Sequence, residues 1–153
     1  MSAAPGPLER EAALDVLARF AHGIDTRDWE LYRSVFTDEV DVDYTSYRPG
    51  SRDRMPADEW VDRARRLFPG LDATQHLLAN AWVQSDGRGM RVRTSMRADH
   101  FLDGERFTLG GSYLHLLTDG GGGWRISAVT LTVTWTEGDR QLLAVAARRA
   151  GGS

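Results

Sequence analysis

The chain has 153 residues, a net charge of −3 and no cysteine. This length fits one domain with a core of its own, and the missing cysteine excludes disulfides, thiolate metal sites and cysteine nucleophiles. A mildly acidic chain is not a general nucleic-acid binder. No basic amino-terminal segment precedes an apolar run, and no apolar stretch approaches the roughly 18 residues of a membrane helix. We therefore expect a cytoplasmic protein without membrane or nucleic-acid partners.

The first half of the sequence has the spacing of helices. Apolar residues recur with helical period over residues 8–23, which predicts an amphipathic helix. Thr26 is a candidate N-cap for a second helix over residues 27–36, and the alternation in residues 41–47 predicts a short strand. A third helix is expected over residues 56–68, with acidic residues in its first turn, arginines in its last and a Pro-Gly pair after it.

The second half of the sequence changes to a period of two. Glycine-rich turns separate four strand-like runs, residues 74–85, 88–102, 105–118 and 123–136. Helices followed by an antiparallel meander predict an α+β fold, with the helices covering one face of a curved sheet. We expect one domain over residues 8–138, a flexible tail at 1–7, and a C-terminal segment at 139–153 that forms a short helix and then a loose tail.

Two histidines lie on apolar faces of neighbouring predicted strands. His76 opens the strand that continues to Trp82, on the side of Leu78, and His100 ends the apolar side of the next strand, which includes Met96. An isolated histidine in either place is most simply a solvated or hydrogen-bonded residue at the edge of a sheet. Hairpin pairing can bring His76 and His100 to the same end of the sheet, and an apolar cavity with a few polar groups is typical of a small-molecule site.

The remaining polar candidates are weaker. Asp25 follows the first helix and by itself is most simply a turn residue; His22 fits a helix surface, and His115 fits a core or interface position. Two histidines and an aspartate are possible metal ligands, but neither an HxH nor an HExxH spacing occurs, so we expect no metal. The sequence contains no phosphate-binding glycine loop, dinucleotide-binding fingerprint or serine nucleophile elbow.

Several stretches in series resemble scytalone dehydratase and the SnoaL-like group around it. The elements D-x-x-D-W, D-Y, M-P-A-[DE]-[EF] and T-Q-H occur in the family's order with similar spacing, within GIDTRDWELYRSVFTDEVDVDYTSY, MPADEWVDRARRLF and TQHLL. The later stretch GGGGWRISAVTLTVTW is similar as well, so that the resemblance covers about residues 8–136. It implies a nuclear transport factor 2-like fold, a cone in which helices pack on a curved, mixed, mostly antiparallel sheet that encloses a pocket.

The resemblance also implies catalytic roles. In that family an aspartate at the end of the first helix orients a histidine at the start of a central strand, and these positions match Asp25 and His76. His76 is then a general base whose tautomer Asp25 fixes. Tyr44 matches a tyrosine that polarises the substrate carbonyl, and His100 matches a histidine that binds substrate or protonates the leaving hydroxyl. The resemblance implies no cofactor.

The substrate-binding positions depart from the family pattern. Ile24 stands where the family has a second tyrosine, and Gly111 and Tyr113 replace a serine and an asparagine, with Tyr113 a candidate replacement phenol. The aromatic residues that close the pocket at the C-terminus are missing, so scytalone itself is not the expected substrate. The implied pocket residues are Ile24, Trp82, Met96, Tyr113, Val129, Leu131 and Val133.

The implied function is a cofactor-free lyase of the dehydratase type, or an isomerase, acting on a cyclic carbonyl-bearing small molecule. A cyclase or epoxide-opening enzyme of polyketide-type secondary metabolism needs the same base and stays open. So does a non-catalytic role, as a binding module or as the small subunit of a ring-hydroxylating dioxygenase, although four retained polar positions argue against it. Family members commonly assemble through the outer face of the sheet, so we expect a homo-oligomer, either a trimer or a dimer.

Overall fold

The computed structural model describes residues 3–152, which form helices packed on one sheet. The helices are α1 (Pro7–Asp25), α2 (Trp29–Ser34), α3 (Ala57–Arg65) and α4 (Gln141–Gly151), with a 3₁₀ turn at Phe68–Gly70. The strands are β1 (Phe36–Asp43), β2 (Arg52–Pro56), β3 (Ala73–Ser85), β4 (Met90–Leu102), β5 (Glu105–Asp119) and β6 (Trp124–Glu137).

The strands of the described chain form a six-stranded sheet in the order β2-β1-β6-β5-β4-β3. β1 runs parallel to β6, and the other neighbouring pairs are antiparallel. The meander from β3 to β6 is the one that the glycine-rich turns predicted, and the α+β prediction is confirmed. Helix α1 packs on β3 and β6, and we call the face of the sheet that it covers the inner face.

Helix α1 and the inner face share one hydrophobic core. Buried side chains recur along α1 at helical spacing: Ala13, Val16, Leu17, Phe20 and Ile24. Near the end of the helix, a Cβ at Gly23 would lie 2.8 Å from the Cα of Tyr32, so only glycine lets α2 approach α1 this closely. The apolar stripe and this close crossing hold the end of α1, with Asp25, against the sheet.

The predictions for the segment between α1 and α3 need correction. Thr26 is the C-cap residue of α1 and not the N-cap of α2, because its hydroxyl donates to the His22 carbonyl at 2.7 Å. The N-cap of α2 is Asp28, whose carboxylate accepts from the Leu31 amide at 2.9 Å. β1 begins inside the predicted second helix and ends before Tyr44. The edge strand β2 was missed because its sequence, RDRMP, has no apolar alternation.

Trp82 lies on the opposite face from the one that the alternation predicted. The register between β3 and β4 shifts between Ala79 and Trp82, and Asn80 between them has a left-handed φ of 54°, as at a β-bulge. The bulge reverses the alternation, so that Val83 is buried and Trp82 is 60% exposed. The prediction that Trp82 lines the pocket is wrong.

The C-terminal segment folds back over the 3₁₀ turn. Leu142 and Ala146 of α4 are buried, and α4 packs on the turn. A Cβ at Gly70 would lie 1.9 Å from the carbonyl oxygen of Ala146, so helix and turn meet backbone to backbone. Phe68 belongs to the same turn, so this contact holds the backbone segment that carries its ring.

Part of the predicted amino-terminal tail takes part in the fold. Ala3 forms an isolated antiparallel bridge with Ser85, with N···O distances of 2.8 and 2.9 Å. Residues 1–2 and 153, which belong to the two predicted tails, lie outside the described residues. Within residues 3–152, no helix is long and apolar enough to cross a membrane.

Candidate active site

A carboxylate and an imidazole meet where α1 ends against β3. Asp25 Oδ1 lies 2.7 Å from His76 Nδ1, and Asp25 Oδ2 accepts from the backbone amide of His76 at 2.8 Å. Since these contacts use both carboxylate oxygens, the aspartate is fixed relative to the strand that carries the histidine. An ionised carboxylate can only accept, so Nδ1 of His76 carries a proton and, in the neutral ring, Nε2 keeps the lone pair.

The surroundings of Asp25 favour its charged form. Burial alone raises the pKa of this carboxyl group, but the hydrogen bonds and charge of His76 and the hydroxyl of Thr74 outweigh burial and lower the pKa below its usual value. Thr74 donates to Asp25 Oδ1 at 3.0 Å, and it lies two residues before His76, on the same side of β3. The carboxylate can therefore stabilise an imidazolium that forms when His76 takes a proton.

His100, on β4, shares the site with His76. Their ring centroids are 5.8 Å apart, and Phe68 contacts both rings, with its centroid 5.9 Å from that of His76 and 6.2 Å from that of His100. Nδ1–H of His100 donates to the Phe107 carbonyl at 3.1 Å, which leaves Nε2 as an acceptor. Burial, and then the nearby His76, lower the pKa of His100 to about 4. His100 is therefore neutral at physiological pH.

Two phenols face each other across the interior. Tyr44, in the turn after β1, has its hydroxyl 3.5 Å from that of Tyr113 on β5, and Tyr113 is buried with its side chain on the inner face. Burial raises the pKa of Tyr113 to about 12 and raises the pKa of Tyr44 well above its usual value. Both phenols stay protonated at neutral pH and can donate hydrogen bonds. Trp60 packs edge-on against Tyr44, with ring centroids 5.2 Å apart.

Apart from Trp82, the apolar residues predicted for the pocket lie in or against the core. Four of them are buried: Ile24, Met96, Val129 and Leu131. Val133 is partly buried against the same core. Met96 pairs with Leu78 across β3 and β4, and the next inward pair joins His76 to Ala98. A surface cleft of about 630 Å³ along β1, β2 and β6 includes only Val129 of the predicted site residues and is separate from the histidines.

A third inward-facing histidine lacks such partners. His115, on β5, is fully buried against Phe20 and Tyr113, with ring centroids 4.9 and 5.1 Å away. Neither ring nitrogen, nor the hydroxyl of Thr94, has a hydrogen-bond partner among the described residues. Burial lowers the pKa of His115 to about 3, so this ring is neutral. His22 is exposed on α1 and takes no part in the site.

Sequence reasoning missed three residues around the pair: Thr74, Phe68 and Arg27. The guanidinium of Arg27 lies over the Phe68 ring, 5.7 Å from its centroid. The position of Thr74, two residues before His76, was a usable signal because alternate strand residues share a face. Phe68 and Arg27 lie in turns, whose path no periodicity predicts. Among residues 3–152, no cluster of three His, Asp or Glu side chains is arranged to hold a metal ion.

The fold and the Asp25–His76 pair are those expected of the SnoaL-like family, and comparison with family profiles identifies the same family. The sequence profile of the SnoaL-like domain matches residues 8–130, and the chain belongs to this family. The resemblance drawn from the motifs is thereby confirmed, and so is the nuclear transport factor 2-like fold, with its mixed, mostly antiparallel sheet.

Particular relatives are distant. Dehydratase GME11372 of Pestalotiopsis microspora is 28% identical over 104 residues, covering 65% of this chain and 65% of that protein, just under two thirds. Terrestric acid biosynthesis cluster protein E of Penicillium crustosum is 28% identical over 149 residues, covering 91% of this chain and 92% of that protein. The crystal structure of the Kfla4162 protein from Kribbella flavida has a TM-score of 0.82 at 26% identity, over 92% of this chain and 97% of that chain.

Proposed function

We propose that the protein is a cofactor-free lyase that eliminates water from a cyclic, carbonyl-bearing small molecule, with His76 as general base. The observation that carries this proposal is the 2.7 Å contact between Asp25 Oδ1 and His76 Nδ1, made beside an apolar interior. The names of two relatives, a dehydratase and a terrestric acid biosynthesis cluster protein, support elimination chemistry and a substrate from secondary metabolism.

The first step is removal of a proton from the carbon next to the substrate carbonyl. His76 Nε2 takes the proton, while Asp25 holds Nδ1–H, fixes the ring and stabilises the imidazolium. The electron pair of the broken C–H bond moves into an enolate. Hydrogen bonds from the phenols of Tyr44 and Tyr113, whose hydroxyl oxygens lie 3.5 Å apart, stabilise the enolate oxygen.

The second step expels water. The enolate electrons form a C=C bond as the C–O bond on the neighbouring carbon breaks, and the departing hydroxyl takes back the proton held on His76 Nε2. His100 donates no proton in this scheme, since its pKa is about 4 and its Nδ1–H is bonded to the Phe107 carbonyl. Of the two roles that the resemblance implied for His100, we retain substrate binding: its Nε2 accepts a hydrogen bond from a substrate hydroxyl.

The test is NMR in heavy water with a panel of cyclic β-hydroxy ketones and matched epoxides. The wild type is expected to exchange the proton next to the carbonyl and to release water, and His76→Gln should lower that rate by about 10²–10⁴-fold. His22→Gln is the matched control, because His22 is an exposed histidine on α1. It should keep the wild-type rate.

Other outcomes separate the competing functions. Proton exchange without loss of water would indicate an isomerase. Opening of epoxides without C–H exchange would favour an epoxide-opening enzyme. Panel members that bind while none is turned over would contradict the lyase proposal and favour a binding module.

The two phenols give a second test, on the same substrate. Tyr44→Phe removes a hydrogen bond to the developing enolate and should lower kcat by about 10²–10³-fold, with little change in KM. Family members that keep a tyrosine at the position of Ile24 have another phenol near the substrate. Because this protein has isoleucine there, the loss of the Tyr44 hydroxyl should lower kcat more than it would in those relatives. Tyr113→Phe, which removes the facing hydroxyl, shows whether the two phenols act together. An unchanged kcat/KM in Tyr44→Phe would contradict this account of carbonyl polarisation.

A further inference from the structure

Arg27 occupies an unusual backbone position beside the catalytic pair. It follows the C-cap of α1 with a φ of 58°, in the left-handed region that residues with a Cβ rarely adopt. Its backbone amide donates to the Ile24 carbonyl at 3.1 Å. A strained conformation of this kind persists only where the surroundings hold it, and here the contacts of the side chain do so.

The guanidinium of Arg27 joins the end of α1 to β3. Its Nη1 donates to the carbonyl oxygen of Ile24 at 2.8 Å and to the hydroxyl oxygen of Thr74 at 2.8 Å. Thr74 is buried, and its hydroxyl lies 3.0 Å from Asp25 Oδ1. Nη1 of Arg27 thus joins the Ile24 carbonyl, at the end of α1, to Thr74, the residue that donates to Asp25.

The direction of each hydrogen bond is fixed by chemistry. A guanidinium has no acceptor and an ionised carboxylate has no donor. Thr74 must therefore accept from Arg27 and donate its single proton to Asp25. The result is an ordered series, Arg27 to Thr74 to Asp25, that ends on the same carboxylate oxygen that receives His76 Nδ1–H.

We propose that Arg27 is a positioning residue for the Asp25–His76 pair and acts through the Thr74 hydroxyl. Its effect on turnover rests on the proposed function, but its effect on the hydrogen bond between Asp25 and His76 does not. The same guanidinium lies over Phe68, which contacts the rings of His76 and His100. This second contact adds packing around the two rings, whereas the hydrogen bond between Asp25 and His76 depends on Arg27 through Thr74.

A simpler role for Arg27 is capping of the last carbonyl groups of α1. That role predicts a loss of thermal stability on substitution, with no specific change at His76. The experiment must therefore read the hydrogen bond itself, and the Nδ1–H proton resonance of His76 does so without any substrate. Its position reports the hydrogen bond to Asp25, and its exchange with water reports how firmly the bond is held.

Four variants isolate the series. Thr74→Val removes the hydroxyl at constant shape and Thr74→Ser keeps it, while Arg27→Gln removes the charge. Arg27→Gly removes the side chain and suits the left-handed backbone, so this variant keeps the fold even if Arg27→Gln does not. In Thr74→Val, Arg27→Gln and Arg27→Gly we expect the His76 Nδ1–H resonance to move upfield and to exchange faster with water. Thr74→Ser, which keeps the hydroxyl, should leave the His76 Nδ1–H resonance and its exchange rate as in the wild type.

The double variant Arg27→Gln/Thr74→Val tests whether Arg27 acts through Thr74. If it does, the double variant is no worse than Thr74→Val alone, since the series is already broken. Additive changes, or an unchanged resonance in both Arg27→Gln and Arg27→Gly, would overturn the proposal. On an elimination substrate Thr74→Val, Arg27→Gln and Arg27→Gly should each lower kcat about tenfold with KM unchanged, and Thr74→Ser should keep the wild-type kcat. A shifted resonance in a protein that eliminates nothing would refute the proposed function and leave the positioning role standing.

Discussion

Two regions of the interior treat the same side chain differently. Beside Asp25, His76 has a carboxylate 2.7 Å from Nδ1, and His100 has a carbonyl 3.1 Å from its own Nδ1. Beside Phe20, His115 is buried more deeply than either, yet neither of its nitrogens has a partner among the described residues. All three rings come from β3, β4 and β5 on the inner face of the sheet.

The difference shows that burial alone does not set the chemistry of an inward-facing histidine, because the hydrogen-bond partner decides which ring nitrogen stays free and whether a cation is stabilised. A carboxylate on Nδ1 leaves the opposite nitrogen of His76 free to accept a proton, and its charge favours the cation that would form. A carbonyl fixes the tautomer of His100 but supplies no full charge, so burial keeps that ring neutral. With no partner, His115 packs among aromatic rings as part of the core.

The largest expected effect comes from making His76 more like His115. Asp25→Asn removes the charge and can donate to Nδ1, which favours the wrong tautomer. We expect kcat for the elimination to fall by about 10²–10⁴-fold, measured by loss of water from the substrate. A variant that unfolds is recognised by its circular dichroism spectrum. An unchanged kcat in a folded Asp25→Asn protein would remove the distinction between the two regions.

A smaller effect concerns acid stability. The pKa of His100 is depressed from 6.5 to about 4 in the folded protein, so below pH 6.5 the unfolded chain binds a proton that the folded chain refuses. Stability from the neutral ring is therefore present above the unfolded pKa and is lost as pH falls towards 4. Between those two pH values, the free energy of unfolding of His100→Gln should fall by about 3 kcal/mol less than that of the wild type. Urea unfolding measures this difference.

The exposed His22 again supplies the control for this comparison. His22→Gln should follow the wild-type pH dependence of unfolding, since His22 is exposed on α1. The depressed pKa of His115 costs stability over the same pH range, and that of Asp25 does so at lower pH, but both groups contribute equally to the two proteins and cancel. Identical pH profiles for His100→Gln and the wild type would show that folding does not lower the pKa of His100.

The smallest effect is expected at His115. His115→Leu replaces two unpartnered nitrogens with apolar atoms of similar size, so it should stabilise the fold by about 1 kcal/mol and leave turnover unchanged. Thr94→Val, at the other unpartnered polar group, should act in the same direction. Thermal unfolding measures both. A loss of stability in His115→Leu would indicate that buried water satisfies the ring nitrogens. His115 would then have hydrogen-bond partners, as His76 does, and the two regions would differ less.

Regular elements of this fold could be predicted from the sequence, and irregular ones could not. The period-two runs separated by glycine turns located β3 to β6, because alternation and turn residues are local signals. The bulge at Asn80 inverted the face of Trp82, and a single inserted residue leaves no mark in the hydrophobic pattern. β2 was missed because an exposed, charged edge strand is held by backbone pairing with β1 and not by burial.

In the candidate site, too, residues on regular elements could be predicted and residues in turns could not. Asp25 and His76 were named from motif resemblance, and strand alternation placed His76 on the inner face. Arg27 and Phe68 lie outside regular strands and contact the pair only through the tertiary fold. The neutrality of His100 could not be predicted either, since it depends on the depth of burial and on the Phe107 carbonyl.

The most direct test of the central claim is the ¹⁵N spectrum of the His76 imidazole at alkaline pH, in the wild type and in Asp25→Asn. The contact between Nδ1 and the carboxylate predicts a single tautomer in the wild type, with Nδ1 protonated and Nε2 bare. Asp25→Asn should lose this preference. A wild-type ring protonated at Nε2, or spectra that do not differ between the two proteins, would contradict His76 as a base held by Asp25.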